Sequence, residues 1–207
     1  MKVLVFGATG TVGRLLVTQA LEMGHTVTAF ARNPSKLAIS HDSLEIIEGD
    51  VLDSAPVDRA VASHDAVVIA LGAGSKGQIR SKGTRNIIQA MQEGGVRRLV
   101  CVSTLGVGDS RGNLNFLWKY IMFGILLRAA FADHVFQEDD VKQSGLDWTI
   151  VRPAAYTDGE RTGDYRHGFP ATEKGLKLKI SRADVADFVL TQLADDSYIR
   201  MTPGVSY

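Results

Sequence analysis

The stretch MKVLVFGATGTVG, Met1 to Gly13, decides how the rest of the chain is read. Lys2 to Phe6 is a short, mostly apolar and β-branched run, the composition of a strand buried on both faces of a parallel sheet. Gly7, Gly10 and Gly13 follow in GxxGxxG spacing. Arg14 to Met23 then carries apolar residues at Leu15, Leu16, Ala20, Leu21 and Met23, which predicts a helix. A strand, a glycine turn and a helix start make an anion site, because unpaired N–H groups and the positive end of the helix dipole converge there. Glycine lets the backbone turn tightly and approach a pyrophosphate. Gly7, Thr9, Gly10, Thr11, Val12 and Gly13 are therefore the expected phosphate cradle; the alternative is a glycine-rich turn that binds nothing.

The 207 residues, 45% hydrophobic and 22% charged, suit one α/β domain spanning 1–207. The 23 basic and 23 acidic residues cancel, so no overall field draws the chain to nucleic acid or an anionic membrane, and small-molecule work is expected. The sole cysteine, Cys101, lies in the apolar run Leu99 to Val102 and is expected to be buried and structural. His25, His41, His64, His134 and His167 show no ligand spacing, so no metal is expected. The apolar concentration Phe116 to Phe131 is broken by Lys119 and Arg128, leaving an uncharged core too short to span a bilayer. Met1 leads straight into the first strand, which leaves no room for a signal peptide and suggests a cytoplasmic protein.

A second strand, His25 to Ala31, ends at Arg32, Asn33 and Pro34. An NAD site has an acidic residue near this tip to bind the ribose 2′-OH. Here there is none. Arg32 offers a planar cation for a 2′-phosphate, with Ser35 and Lys36 in support, so NADP(H) is expected over NAD(H); a solvated basic turn is the alternative. Leu44 to Glu48 reads as a third strand, ending at Gly49, Asp50 and Val51, and Val57 to Ala62 as a short helix. Asp65 to Leu71 is an apolar fourth strand entering Gly72, Ala73 and Gly74, whose small side chains let backbone meet cofactor at Leu71, Gly72 and Ala73. A helix over Gly83 to Glu93 and a strand over Arg97 to Ser103 continue the alternation. Strands alternating with helices imply right-handed crossovers and a doubly wound parallel sheet.

GATGxxG after a first strand resembles the atypical and extended short-chain dehydrogenase/reductase families. The runs LVCVSTLGVG, ADHVFQEDDVKQSGLDWTIVRPAA (Ala132 to Ala155) and ISRADVADFVL (Ile180 to Leu190) narrow the likeness to the NAD(P)H-binding atypical reductases. Within these the chain is similar to the biliverdin-IXβ and flavin reductases, and more loosely to NmrA-like proteins. The resemblance covers nearly the whole chain and implies a Rossmann sheet with a small C-terminal region on the substrate side. It places Asp50 and Val51 at the adenine, although Asp50 alone equally suits a turn. Ser103, with Thr104 beside it, takes the family's serine position at the nicotinamide. His134 takes the position of the ribose-binding lysine or histidine; a surface role is the other reading. The backbone at Pro153 and Ala154 would close over the nicotinamide amide, and Arg152 reads better as a structural ion pair.

The chain departs from the ordinary family in lacking the YxxxK dyad, since no tyrosine has a lysine four residues on. Carbonyl reduction with a Tyr general acid is thus disfavoured. Ala154 and Ala155 stand where the biliverdin-IXβ type has Pro and His, which argues against a strict biliverdin reductase. A flavin or quinone needs neither, because stacked rings suffice for hydride transfer and water can supply the proton. The expected partner is a small aromatic or conjugated acceptor. Phe116, Leu117, Trp118, Tyr120, Met122 and Phe123 could wall its pocket, or equally form core or a dimer contact. The sequence expectation is an NADPH-dependent reductase, with catalytic roles for Ser103 and His134. Its rivals are a non-catalytic NADP(H) sensor and, more weakly, a sugar-nucleotide epimerase or dehydratase. Ser181 to Ala186, SRADVA, reads as a helix cap with Asp184 at the acidic N3 position. Oligomeric state is left open between monomer and dimer.

Overall fold

The computed structural model describes residues 1–72 and 78–207. Alternation along the first strand, β1 (Lys2–Phe6), sets the layering: Val3 and Val5 belong to the core on one face of the sheet, Leu4 and Phe6 to the core on the other, all fully buried. The Val3 face packs on α1 (Thr11–Glu22) through Leu16, Val17 and Ala20, and on α5 (Arg182–Thr191) through Val185, Ala186 and Val189. The Leu4 face is covered by α2 (Ser54–Val61), α3 (Ile79–Gly94) and α4 (Arg128–Gln143) through Val57, Ile87, Met91 and Val141. Each valine, leucine, isoleucine or methionine among them contributes about 1.5–3 kcal/mol over leaving it in water.

The parallel strands β2 (Thr26–Ala31), β3 (Leu44–Glu48), β4 (Ala66–Ile69), β5 (Arg98–Val102) and β6 (Asp147–Pro153) join β1 in the order β3-β2-β1-β4-β5-β6. This is the doubly wound Rossmann sheet expected from the alternation. The chain reverses its direction of travel between β1 and β4, and the crevice beyond the carboxyl ends of those strands is where such sheets bind ligands. Two later strands extend the sheet: β10 (Gly204–Ser206) runs parallel to β6, and β8 (Arg166–His167) pairs antiparallel with β10. A separate parallel pair, β7 (Ala155–Thr157) with β9 (Lys179–Ser181), lies on the C-terminal side. β9 starts at Lys179, because Leu178 before it takes a positive φ of 53° that breaks the extended run.

Three helices begin earlier than their apolar patterns suggest. Thr11, not Arg14, opens α1, which puts Gly13 inside the helix. Asp53 accepts the Ala55 N–H and caps α2 ahead of Val57. The start of α3 at Ile79 is secured from another helix: the buried Asp133 carboxylate accepts the Arg80 N–H at 3.0 Å and the Ser81 N–H at 3.1 Å. No local signal announces that cap.

The C-terminal helix is fastened as its SRADVA run suggests. Ser181 Oγ accepts the Asp184 N–H, and the buried Asp184 carboxylate collects the Thr162 and Gly163 N–H groups and the Thr162 and Tyr207 hydroxyls. Cys101 is fully buried, and burial pushes its thiol pKa up. Among the described residues no helix is long and apolar enough to cross a membrane, and no His, Cys, Asp and Glu cluster suits a metal ion.

Candidate active site

The phosphate end is built from the turn between β1 and α1. Gly7 has φ +85°, and a Cβ there would strike the Ala70 carbonyl at the end of β4, so glycine is what lets the two strand ends close on each other. Gly10 caps α1 without a side-chain acceptor, and the first turn holds no acid, so the N–H groups at this end are left for an outside anion. A Cβ on Gly10 would sit 3.1 Å from the Gly7 carbonyl oxygen, inside the cradle. Gly13 packs so closely on Gly7 that any side chain would collide with its backbone. The turn thus fits a pyrophosphate.

A cavity of about 210 Å³ runs from Gly7, Thr9 and Gly10 to Arg32 and Lys36 at the end of β2. Among the described residues no carboxylate lines it, and Arg32 and Lys36 are exposed where they can close on a phosphate. Val51 and Gly49 line the same space, as do Leu71 and Gly72. Asp50 does not: its carboxylate accepts the Leu52 N–H at 3.0 Å and serves the turn. Ala73 lies outside the described residues.

A second cavity, of about 400 Å³, continues from Gly10, Thr11 and Val12 across the ends of β5 and β6. Ser103, Thr104, His134, Pro153 and Ala154 all line it, so chain segments far apart in sequence meet here. Its walls are apolar. Of the aromatic cluster expected to supply them, only Trp118 and Phe123 do so; Phe116 is 71% exposed, Leu117 and Tyr120 also face solvent, and Met122 lies outside the lining. The segment Leu117–Leu126 is a π-helix, ending in a bond from the Leu127 N–H to the Met122 carbonyl. Such i→i+5 winding sets residues five apart on one side. Trp118 and Phe123 accordingly touch, with ring centroids 5.6 Å apart. Leu105, Leu114, Leu127 and Leu178 complete the wall and were not foreseen.

Ser103 is 2% exposed, and its hydroxyl donates to Glu138 Oε1 at 2.8 Å. The same carboxylate receives Arg152 Nε and Nη2 at 2.9 and 2.7 Å and Lys142 Nζ at 2.9 Å. Arg152 also reaches Asp109 at 2.6 Å. Burial pushes Glu138 up, but the bonds and charges of Arg152 and Lys142 prevail and hold it below the usual carboxylate range. Glu138 therefore stays ionised and keeps the Ser103 proton, and the serine presents only lone pairs to the cavity. Arg152 is a structural ion-pair residue, as its sequence context suggests.

His134 is a neutral imidazole. Burial, with the Arg80 charge, pushes its pKa down to about 4, and its Nδ1 is buried with no hydrogen-bond partner among the described residues. A neutral ring with an unsatisfied nitrogen suits a sugar hydroxyl better than it suits proton delivery. Two polar lining residues, Tyr156 and Arg80, were likewise not foreseen. Tyr156 carries a hydroxyl whose pKa desolvation pushes up to about 12 against the pull of Arg80 and Arg182, which makes it a hydrogen-bond donor. Arg80 shares a helix face with the buried Thr84 and Ile87, and a cation at that i, i+4, i+7 spacing was the available signal.

A family profile described as NAD(P)H-binding matches residues 7–196. The chain belongs to this NAD(P)H-binding family. Among its curated relatives is the UPF0659 protein YMR090W of Saccharomyces cerevisiae, 32% identical over 209 residues, covering 93% of this chain and 87% of that protein. The (4-alkanoyl-5-oxo-2,5-dihydrofuran-3-yl)methyl phosphate reductase of Streptomyces griseus is 28% identical over 154 residues, 74% of this chain but only 48% of its own length. Among solved structures, ChuY from Escherichia coli O157:H7, an anaerobillin reductase, superposes with a TM-score of 0.80 at 24% identity, covering 99% of this chain and 96% of ChuY. The NAD(P)H-binding family thus accounts for the glycine cradle and the sheet, and the likeness to ChuY is one of fold.

Proposed function

We propose that this member of the NAD(P)H-binding family is an NADPH-dependent reductase that passes hydride to a flavin, a quinone or a similar conjugated acceptor. The observation that carries the reading is the mostly apolar cavity of about 400 Å³ that continues directly from the phosphate cradle, large enough for a ring system. A bound nicotinamide supplies the hydride. The chain's part is to hold two flat partners face to face and exclude water. The α1 N-terminus and glycine turn bind the pyrophosphate, Arg32 and Lys36 take the 2′-phosphate, and His134 and the Pro153–Ala154 backbone orient the nicotinamide end. Ser103 offers an acceptor, and Trp118, Phe123 and Leu114 form the roof over the acceptor ring. The Streptomyces relative, named for reduction of an unsaturated oxo-dihydrofuran, is in keeping with a conjugated acceptor. A soluble cytoplasmic enzyme with a small-molecule substrate is the setting this reading implies.

The test is NADPH oxidation at saturating cofactor with FMN, riboflavin, a benzoquinone and biliverdin offered in turn; saturable turnover with at least one is expected. Arg32→Asp should weaken NADPH binding by about tenfold or more, the worth of one charge-assisted phosphate contact, and leave NADH binding within about twofold. Equal losses for both nucleotides would remove Arg32 from the 2′-phosphate. Because its proton is committed to Glu138, Ser103→Ala should lower turnover less than about tenfold, whereas loss of a proton-delivering group costs roughly 10²–10⁴-fold. A drop of a hundredfold or more would make Ser103 the acid.

A second reading, an NADP(H) sensor without turnover, is favoured by one feature. Neither the neutral His134 nor the Tyr156 phenol, with its pKa of about 12, is poised as an acid or base near neutral pH. Tight NADPH binding with no oxidation by any acceptor would select it.

A further inference from the structure

Arg80 is a buried cation whose one ion pair among the described residues, with Asp133, is long. Its side chain is 11% exposed and lines the larger cavity, yet Nε and Nη1 are shut off from water and make no hydrogen bond among the described residues. The nearest carboxylate, Asp133, stands 3.7 Å from Nη1, beyond hydrogen-bond reach, and is already occupied by the Arg80 and Ser81 N–H groups and the Ser81 hydroxyl at 2.6 Å. Other arginines removed from solvent are better satisfied: Arg152 is bonded to Glu138 and Asp109, and Arg98, although its Nε is also left over, to three carbonyls and the Thr149 hydroxyl. A guanidinium left like this pays the desolvation cost of a charge and gets little back.

The surroundings sharpen the imbalance. Among the described residues lining the 400 Å³ cavity, Arg80 is the only charged side chain, and the neighbouring His134 is neutral with an orphan Nδ1. Tyr156, on the same wall, keeps its proton, and its ring lies 5.5 Å from the Arg182 guanidinium, which is itself bonded to Asp158. A mostly apolar chamber with one weakly paired cation, a phenol donor and an imidazole favours a flat molecule bearing a compact oxyanion.

We infer that Arg80 forms an anion subsite in the acceptor cavity and that the acceptor carries a carboxylate or phosphate which this guanidinium binds. The inference rests on the reductase reading for the word acceptor, and its test separates the two. FMN and riboflavin differ by one phosphate. Titrated into the full chain loaded with NADP⁺ and followed by quenching of flavin fluorescence, FMN should bind at least tenfold more tightly than riboflavin. Arg80→Met, which keeps the length of the side chain, should bring the ratio within about twofold without changing riboflavin binding, and Arg80→Lys should restore part of it. Inorganic phosphate should weaken FMN and not riboflavin on the unaltered chain, a measurement that does not depend on a variant folding.

Equal binding of the two flavins, no saturable FMN binding, or a ratio unchanged in Arg80→Met would overturn the subsite. So would a tenfold loss of NADPH affinity in Arg80→Met with the flavin ratio intact, because the guanidinium would then serve the cofactor's own phosphates. FMN selectivity in binding without NADPH oxidation would uphold the subsite and sink the reductase reading; turnover of both flavins at equal efficiency would do the reverse.

Discussion

Replacing Glu138 by leucine should lower the unfolding free energy by about 3–5 kcal/mol, the cost of stranding the partner of a buried ion pair. Glu138 has no exposure, and its two oxygens receive Arg152 twice, Lys142 and Ser103. Leucine would leave Arg152, 2% exposed, with only the surface carboxylate of Asp109. Denaturant unfolding followed by circular dichroism measures the loss, and a change below about 1 kcal/mol would show that water enters the network freely. Adding Arg152→Met should recover part of it, since two apolar side chains strand nothing. The network also sets an acid limit. Glu138 is held below its ordinary value of 4.5, so its stabilisation is complete above that pH and is lost as pH falls through the depressed folded value. His134 acts in the same sense: folded it titrates near 4 rather than 6.5, so the unfolded chain takes up a proton first and stability falls as pH drops between those values. Glu138→Leu should remove the lower part of that acid transition and leave the upper part.

Gly10→Val should abolish measurable NADPH binding, a loss of at least about a hundredfold, while the chain stays folded. The valine Cβ would stand 3.1 Å from the Gly7 carbonyl, a contact the turn can relieve with a small shift, but its methyl groups would occupy the space that a pyrophosphate needs at the α1 N-terminus. Gly7 and Gly13 are poor tests of the same idea, because a Cβ on either strikes backbone and the fold itself would suffer. Fluorescence titration with NADPH reads the effect, and a melting curve within a few degrees of the parent's shows that the loss is local. Retained binding would mean that the turn does not face the pyrophosphate.

The cradle was legible because its signals are local: an apolar run, three glycines and a helix lie within a single stretch, and each constrains the next few residues of backbone. The alternation of strands with helices and the basic tip at Arg32 could be read for the same reason. The larger cavity was legible only in part. Ser103 and His134 could be placed through family likeness, but not the fact that Glu138 claims the serine's proton. That bond joins the end of β5 to the middle of α4, and no spacing rule connects them. Trp118 was separable from Phe116 only once the segment proved to be a π-helix, whose i→i+5 winding rotates different residues inward from those of an α-helix. The early start of α3 and the long ion pair of Arg80 likewise depend on Asp133, a residue on another helix. The sequence by itself determined the doubly wound sheet, the phosphate turn and the absence of a Tyr–Lys dyad, since periodicity and backbone sterics act between near neighbours. Which side chains face the cavity, which protons are already spoken for and which charge is only weakly paired were decided by tertiary structure, because hydrogen-bond satisfaction and desolvation depend on what distant segments bring within a few ångströms.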